Sequence, residues 1–204
     1  MSSLFALRLF GYRLLKPLTW PVSRAVPIPR PTLFVGPDAS LRLCASIGQF
    51  GYRRVMIVTD SVLVKLGLVE PLRQALVAQG IDVAVHDGIT PDPTYPVLQA
   101  GYEAVRAHRS DAILAVGGGS AIDAAKVIGA MAVSGKSPEK LIGMLKVGKP
   151  MLPLFAIPTT AGTGSEVGRA AVIITAEGRK LGIISPHMLP SIALCDPELT
   201  YGLP

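Results

Sequence analysis

The sequence is poor in aromatic residues, in charge and in cysteine. Aromatics make up 5% of its 204 residues and charged residues 17%, whereas half are hydrophobic and glycine and proline number 21 and 18. So much apolar content at so low a charge excludes a disordered chain, and the wealth of turn formers suits a compact α/β protein with many short connections. The two cysteines, Cys44 and Cys195, lie far apart and make no disulfide framework. Unpaired core thiols in a reducing, cytoplasmic compartment are the expectation. The three histidines, His86, His108 and His187, show no ligand spacing, so no metal site is legible in the chain. No apolar block at the start reaches the roughly 20 residues of a membrane span.

Acid is missing from the start as well. Residues 1–37 carry Arg8, Arg13, Lys16, Arg24 and Arg30 and no Asp or Glu, leaving 15 basic against 14 acidic residues in the remainder. Five of the six net positive charges therefore belong to the leader, and the absence of a basic face elsewhere excludes a nucleic-acid partner. Residues 1–20 intersperse their charges among apolar residues and show no small-residue cleavage site, which argues against a secretory signal. The expectations for 1–20, in order, are a helix docked on the protein or its oligomer, a weak contact with a membrane surface, and a targeting segment. Pro17, Pro21, Pro27, Pro29 and Pro31 then form a stiff connector. Residues 1–30 are read as a basic extension and 31–204 as the folded domain.

Within that domain, Asp111 to Gly129 reads DAILAVGGGSAIDAAKVIG. An apolar run breaks into Gly117, Gly118, Gly119 and Ser120 and becomes an Ala-rich helix. Three glycines clear side chains where backbone N–H groups can approach a phosphate, and the helix N-terminus adds partial positive charge. Ile122 stands where the Rossmann fingerprint needs glycine, so this is a phosphate loop of another kind, or simply a turn. Asp123 and Lys126 are the only polar groups between Ala121 and Ile128. Asp123 either pairs with Lys126 at i+3 or helps to hold a cofactor.

In order, strands are expected at Thr32–Gly36 and Arg54–Thr59, helices at Pro37–Phe50 and Val62–Ala78, a strand at Ile81–His86 and a helix at Tyr95–His108. After the glycine segment, Ser134–Lys149 reads as polar and mobile. Strands at Leu152–Ile157, Ala171–Thr175, Leu181–Ser185 and Ile192–Cys195 complete the list. Alternating strands and helices predict a parallel sheet with crossover helices, and ligands on such sheets sit beyond the carboxyl ends of the strands. Three such ends are informative: Asp60, the 117–120 glycines, and the 158–166 loop PTTAGTGSE. Asp60 fits either the hydroxyls of an adenosine ribose or an N-cap. Thr159, Thr160, Thr163 and Ser165 suit a ribose or phosphate neighbour, and Thr163-x-x-Glu166 also fits a capping box.

Together these residues resemble the iron-containing (group III) alcohol dehydrogenase family. The matching pieces are VTDSVLVKLGL from Val58, DPTYPVLQAG from Asp92, AVGGGSAIDAAKVIG from Ala115, IPTTAGTGSEVG from Ile157 and LCDPELTYGLP from Leu194. The resemblance implies an α/β parallel-sheet nucleotide-binding domain of the iron-containing alcohol dehydrogenase / dehydroquinate synthase-like type, with the helical metal domain absent. It implies NAD rather than NADP through Asp60, adenosine contacts through Asp92 and Thr94, and a pyrophosphate wrapped by Gly117, Gly118, Gly119 and Ser120 with Asp123 nearby. Thr159, Thr160 and Thr163 would line ribose and phosphates, and Lys180 would reach the nicotinamide ribose. Asp92 occupies a position that is often Asn in relatives. The divalent metal, iron or zinc, would be held by residues beyond Pro204, so this chain alone is expected to be inactive on its small-molecule alcohol or aldehyde. A homo-oligomer is the family habit. Three readings stand: the cofactor half of such an enzyme, a free-standing nucleotide-binding module, and a glycerol dehydrogenase-like relative.

Overall fold

The computed structural model describes residues 30–201, so the expectations for 1–29 and for Gly202–Pro204 lie outside the described residues. Six parallel strands form the main sheet in the order β1-β9-β6-β4-β2-β3. They are β1 (Thr32–Val35), β2 (Arg54–Val58), β3 (Asp82–His86), β4 (Ala112–Gly117), β6 (Leu154–Pro158) and β9 (Ile192–Cys195). β4 and β6 are buried along their whole length, as near-continuous apolar runs in a sheet covered on both faces should be. The expected α/β parallel sheet is therefore present.

Alternate residues of each run serve opposite faces. Met56 and Val58 of β2, Ile113 and Ala115 of β4, and Leu154 and Ala156 of β6 pack against α4 (Tyr95–His108) and α5 (Gly119–Ser134). Val55, Ile57, Leu114, Val116, Phe155 and Ile157 face α1 (Ala39–Ile47), α2 (Ser61–Lys65) and α3 (Glu70–Val77). From β2 the chain crosses outward to β3, then returns past β2 to β4 and continues the other way to β6. That reversal puts the topological switch point between β2 and β4, and such a point opens a crevice at the strand ends.

Two expectations change. The helix expected over Val62–Ala78 is two helices, α2 and α3, because Gly67 takes φ +75° and the N–H groups of Gly67 and Leu68 turn back to the carbonyls of Val64 and Leu63. The Ser134–Lys149 segment carries a helical turn, α6 (Pro138–Leu141), and a two-residue strand, β5 (Gly143–Met144). Leu141 and Val147 anchor it in the core, so its polar composition describes only its outer face.

The strands β7 (Ala170–Ile174) and β8 (Lys180–Ile184) stand apart from the main sheet. With β5 they form a three-stranded sheet in the order β5-β8-β7, which leaves β7 with an open edge. Two side chains of α5 close that edge. Lys126, fully buried, donates from Nζ to the carbonyls of Gly168 (2.8 Å) and Ala170 (2.9 Å), and Asp123 Oδ2 accepts the N–H of Val172 (2.9 Å). Asp123 Oδ1 lies 3.9 Å from Lys126 Nζ. One residue pair further on, the N–H of Ile174 donates to the carbonyl of Pro93. Burial pushes Asp123 upward from the ordinary carboxylate range, against the Val172 N–H and the Lys126 charge. Burial likewise pulls Lys126 down to about 8, opposed by Asp123 and Glu166.

Helices α4 and α5 meet where Gly101 leaves room for Ile128, whose Cδ1 would overlap a Cβ on residue 101. Gly101→Val should lower stability by about 1–3 kcal/mol through overpacking, measured as a fall in the urea midpoint. A second expectation concerns pH. A buried lysine with a depressed folded-state pKa binds its proton less tightly in the folded than in the unfolded protein, where it titrates near 10.5, so its penalty is full below pH 8 and fades as pH rises to 10.5. The wild type should therefore gain on Lys126→Met over that window by up to about 3 kcal/mol, read as the difference between their urea midpoints at each pH. Cys44, raised to about 12 by burial, acts in the opposite direction above pH 9 but is common to both proteins and cancels.

Candidate nucleotide site at the ends of β2, β4 and β6

At the switch point a cleft of about 570 Å³ opens between the ends of β2, β4 and β6. Asp60 and Ser61, Gly118, Gly119 and Ser120, and Thr159 and Thr160 line it, with an apolar wall from Leu63, Leu66 and Ile89. Gly117, the last residue of β4, takes φ +148°, and a Cβ there would stand 2.7 Å from that of Ala121. The turn therefore needs glycine. A Cβ on Gly118 would come within 3.2 Å of Thr160 Oγ1, and one on Gly119 within 3.2 Å of Ser165 Oγ and of Thr163 Cβ. The glycine segment and the hydroxyl loop of 158–168 thus lie against each other, joined at their bases where the N–H of Thr159 donates to the carbonyl of Gly117.

Gly118 is the N-cap of α5 with no side chain to satisfy the first turn. The opening N–H groups of a helix have no acceptor within it, so they face the cleft as anion donors. Thr160 Oγ1 is buried without a hydrogen-bond partner among the described residues, which leaves its hydroxyl unsatisfied beside the cleft. Asp60 serves two ends at once. Its Oδ1 accepts the N–H groups of Val62 (2.9 Å) and Leu63 (3.0 Å) as the N-cap of α2, while Oδ2 lies 3.7 Å from the Cβ position of Gly117, on the cleft side.

The other residues named from the sequence fall around this cleft rather than in its lining. Asp92, with φ +53°, donates its N–H to Ser120 Oγ (3.2 Å), and its carboxylate takes Lys180 Nζ at 2.7 Å. Both side chains of that pair are more than half exposed, so it contributes little to stability. Thr94 caps the backbone of α4 without a side-chain bond and bridges to Ile174. Thr163 sits over Gly119 and accepts the Ser165 N–H at 3.4 Å. No helix follows it, so the capping-box alternative falls away. Asp123 turns away from the cleft to the β7 edge, a role distinct from the cofactor contact expected of it. The apolar wall escaped the sequence reading, because Leu63, Leu66 and Ile89 look like any other core residues. The turn of 88–91 becomes part of the site only because Gly88 bridges to Asp60 and the Ile89 N–H donates to the Thr59 carbonyl.

Among the described residues no group of three or more His, Cys, Asp or Glu side chains is placed to hold a metal ion, and no helix is long and apolar enough to cross a membrane. The ligand set that the cleft does offer fits a phosphate-bearing nucleotide: glycine backbone, helix N-terminus, unpartnered hydroxyl and a carboxylate at the edge.

Comparison with known proteins agrees with the fold. Alcohol dehydrogenase 4 of Schizosaccharomyces pombe is 41% identical over 189 residues, which cover 89% of this chain and 44% of that protein. A crystal structure of 1,3-propanediol oxidoreductase superposes with a TM-score of 0.83 at 34% identity, covering 87% of this chain and 47% of its own. Sulfoacetaldehyde reductase from Bifidobacterium kashiwanohense, solved in complex with NAD+, gives a TM-score of 0.77 at 31% identity over 87% of this chain and 48% of that one. The chain spans just under half the length of these relatives. The family model described as iron-containing alcohol dehydrogenase matches residues 30–197, and the chain belongs to that family.

Proposed function

We propose that residues 31–204 bind NAD as the cofactor portion of an alcohol dehydrogenase that interconverts a small alcohol and its aldehyde or ketone. The observation that carries this reading is the convergence of Gly117–Ser120, Asp60 and the unpartnered Thr160 hydroxyl on one helix N-terminus. A solved relative that holds NAD+ supports the choice of dinucleotide. NAD held there would supply a hydride acceptor for the alcohol carbon.

In this reading the chain's own residues bind and orient. The N–H groups of Gly119 and Ser120 point at the pyrophosphate, Thr160 Oγ1 donates to a phosphate or ribose oxygen, and Thr159 and Thr163 stand beside it. Asp60 Oδ2 accepts from the adenosine ribose and repels a 2′-phosphate, since like charges brought together at a binding surface cost affinity. Asp92 and Thr94 flank the adenosine side, and Lys180 reaches the nicotinamide ribose once it leaves Asp92. The described residues supply no ligand set for iron or zinc, so no step of the chemistry that such a metal supplies is assigned to them.

Titration calorimetry of the full chain with NAD and NADP tests the reading. NAD should bind and NADP should bind more weakly. Asp60→Asn keeps the cap, because Asn is as good an N-cap as Asp, and should narrow the NAD preference by about tenfold with no change in melting temperature. Absence of NAD binding, or an unchanged preference in Asp60→Asn, would overturn it.

A further inference from the structure

The β7 edge gives two polar residues of α5 a purpose that the nucleotide reading does not use. The hydroxyl loop leaves β6 at Pro158, which pairs with Gly117, and enters the β7 region at Gly168. Between these points its backbone is tied mainly to itself, through the Val167 N–H to Gly164 and the Gly168 N–H to Ser165. Its position over the glycine turn therefore depends on its two ends. The first end is fixed by the main sheet. The second is paired with β8, where the Ser185 N–H donates to the Arg169 carbonyl, and is tied to α5 by Lys126 and Asp123.

An edge strand presents a row of unpaired carbonyls and N–H groups on every second residue. Along β7 and its approach that row runs through residues 168, 170, 172 and 174, and a neighbouring strand would ordinarily satisfy it. Here an ammonium group takes the two carbonyls and a carboxylate takes the next N–H, each with the polarity the backbone demands. Both side chains spring from the same two turns of α5 whose first N–H groups face the cleft. The helix that presents the anion donors thus also grips the far end of the loop that covers them.

We infer that Lys126 and Asp123 are positioning residues for a nicotinamide dinucleotide: they clamp the 168–172 segment to α5 and so set Thr160, Thr163 and Ser165 against the glycine turn. The inference rests on the nucleotide reading for its ligand, though the clamp itself is a property of the chain. Neither side chain touches the cleft, so their effect passes through the loop.

Two measurements on the full chain, made well below the melting temperature, test this: NAD affinity by calorimetry and hydrogen–deuterium exchange across residues 159–168. Lys126→Met should weaken NAD binding by about tenfold, a coupling of the size that remote positioning residues exert, and should speed exchange in 159–168 while leaving 112–116 unchanged. Asp123→Asn keeps an oxygen for the Val172 N–H and should stay within about twofold of wild type, whereas Asp123→Leu should follow Lys126→Met. A purely structural role would not spare Asp123→Asn while harming the loop alone in Asp123→Leu. Unchanged affinity and unchanged loop exchange in Lys126→Met overturn the clamp, as does an Asp123→Asn as impaired as Asp123→Leu. Should Lys126→Met fail to fold, the Asp123 pair decides on the same criteria. A wild-type chain that binds no NAD overturns the nucleotide reading, and loop exchange in the variants then decides the clamp by itself.

Discussion

From Ala121 to Met131 helix α5 has no face left for water, and that burial governs much of what surrounds it. A helix enclosed in this way tolerates a charged group only where protein supplies what solvent would have supplied. Asp123 and Lys126 could not both be satisfied by each other, since 3.9 Å of separation leaves several hydrogen-bonding positions on each unused. The β7 edge supplies two carbonyl acceptors to Lys126 and one N–H donor to Asp123, and in return is relieved of part of its own unpaired backbone. The small sheet is fastened to the large domain by this exchange. Its hairpin then brings Lys180 to Asp92 and Ile174 to Pro93, closing the 90–94 loop around the head of the same helix.

The cleft is a second product of close approach. Glycine at 117, 118 and 119 lets a strand end, a helix start and a loop of hydroxyls share a volume that side chains would have filled. Such crowding of backbone is useful where a compact, highly charged group must be held by N–H donors instead of by long cations, and the described cleft lining contains no lysine or arginine. Binding of a pyrophosphate there would rest on dipoles and hydrogen bonds.

Much of this was legible in the residues. Asp60, the glycine turn and PTTAGTGSE each follow an apolar run, and a parallel sheet aligns the carboxyl ends of such runs, so their convergence needed only the alternation of strand and helix. The partner of Asp123 was not legible, because Val172 lies 49 residues away on a strand whose sheet membership depends on how β8 and β5 pair. The sequence offered Lys126 as the near neighbour at i+3, and that neighbour turned out to be a fellow ligand of the same strand. The break in the Val62–Ala78 helix was marked by Gly67 yet masked by the apolar periodicity on both sides. The 134–149 segment misled in the opposite sense: its glycines and lysines hid two residues, Leu141 and Val147, that bury completely.

The pairing of β1 with β9 has a consequence for how the molecule is made. Thr32 pairs in register opposite Ile192, its N–H donating to the Ser191 carbonyl, so a strand near one end of the described chain must wait for one near the other. On a ribosome adding residues one at a time, β1 emerges early and stays without its neighbour while the rest of the sheet is built. Loop closure over so long a span is slow, and exposed strand edges invite the wrong partner in the interval. Of the two edge strands β1 is thus the last to be secured, and for it the order of synthesis runs against the order of assembly.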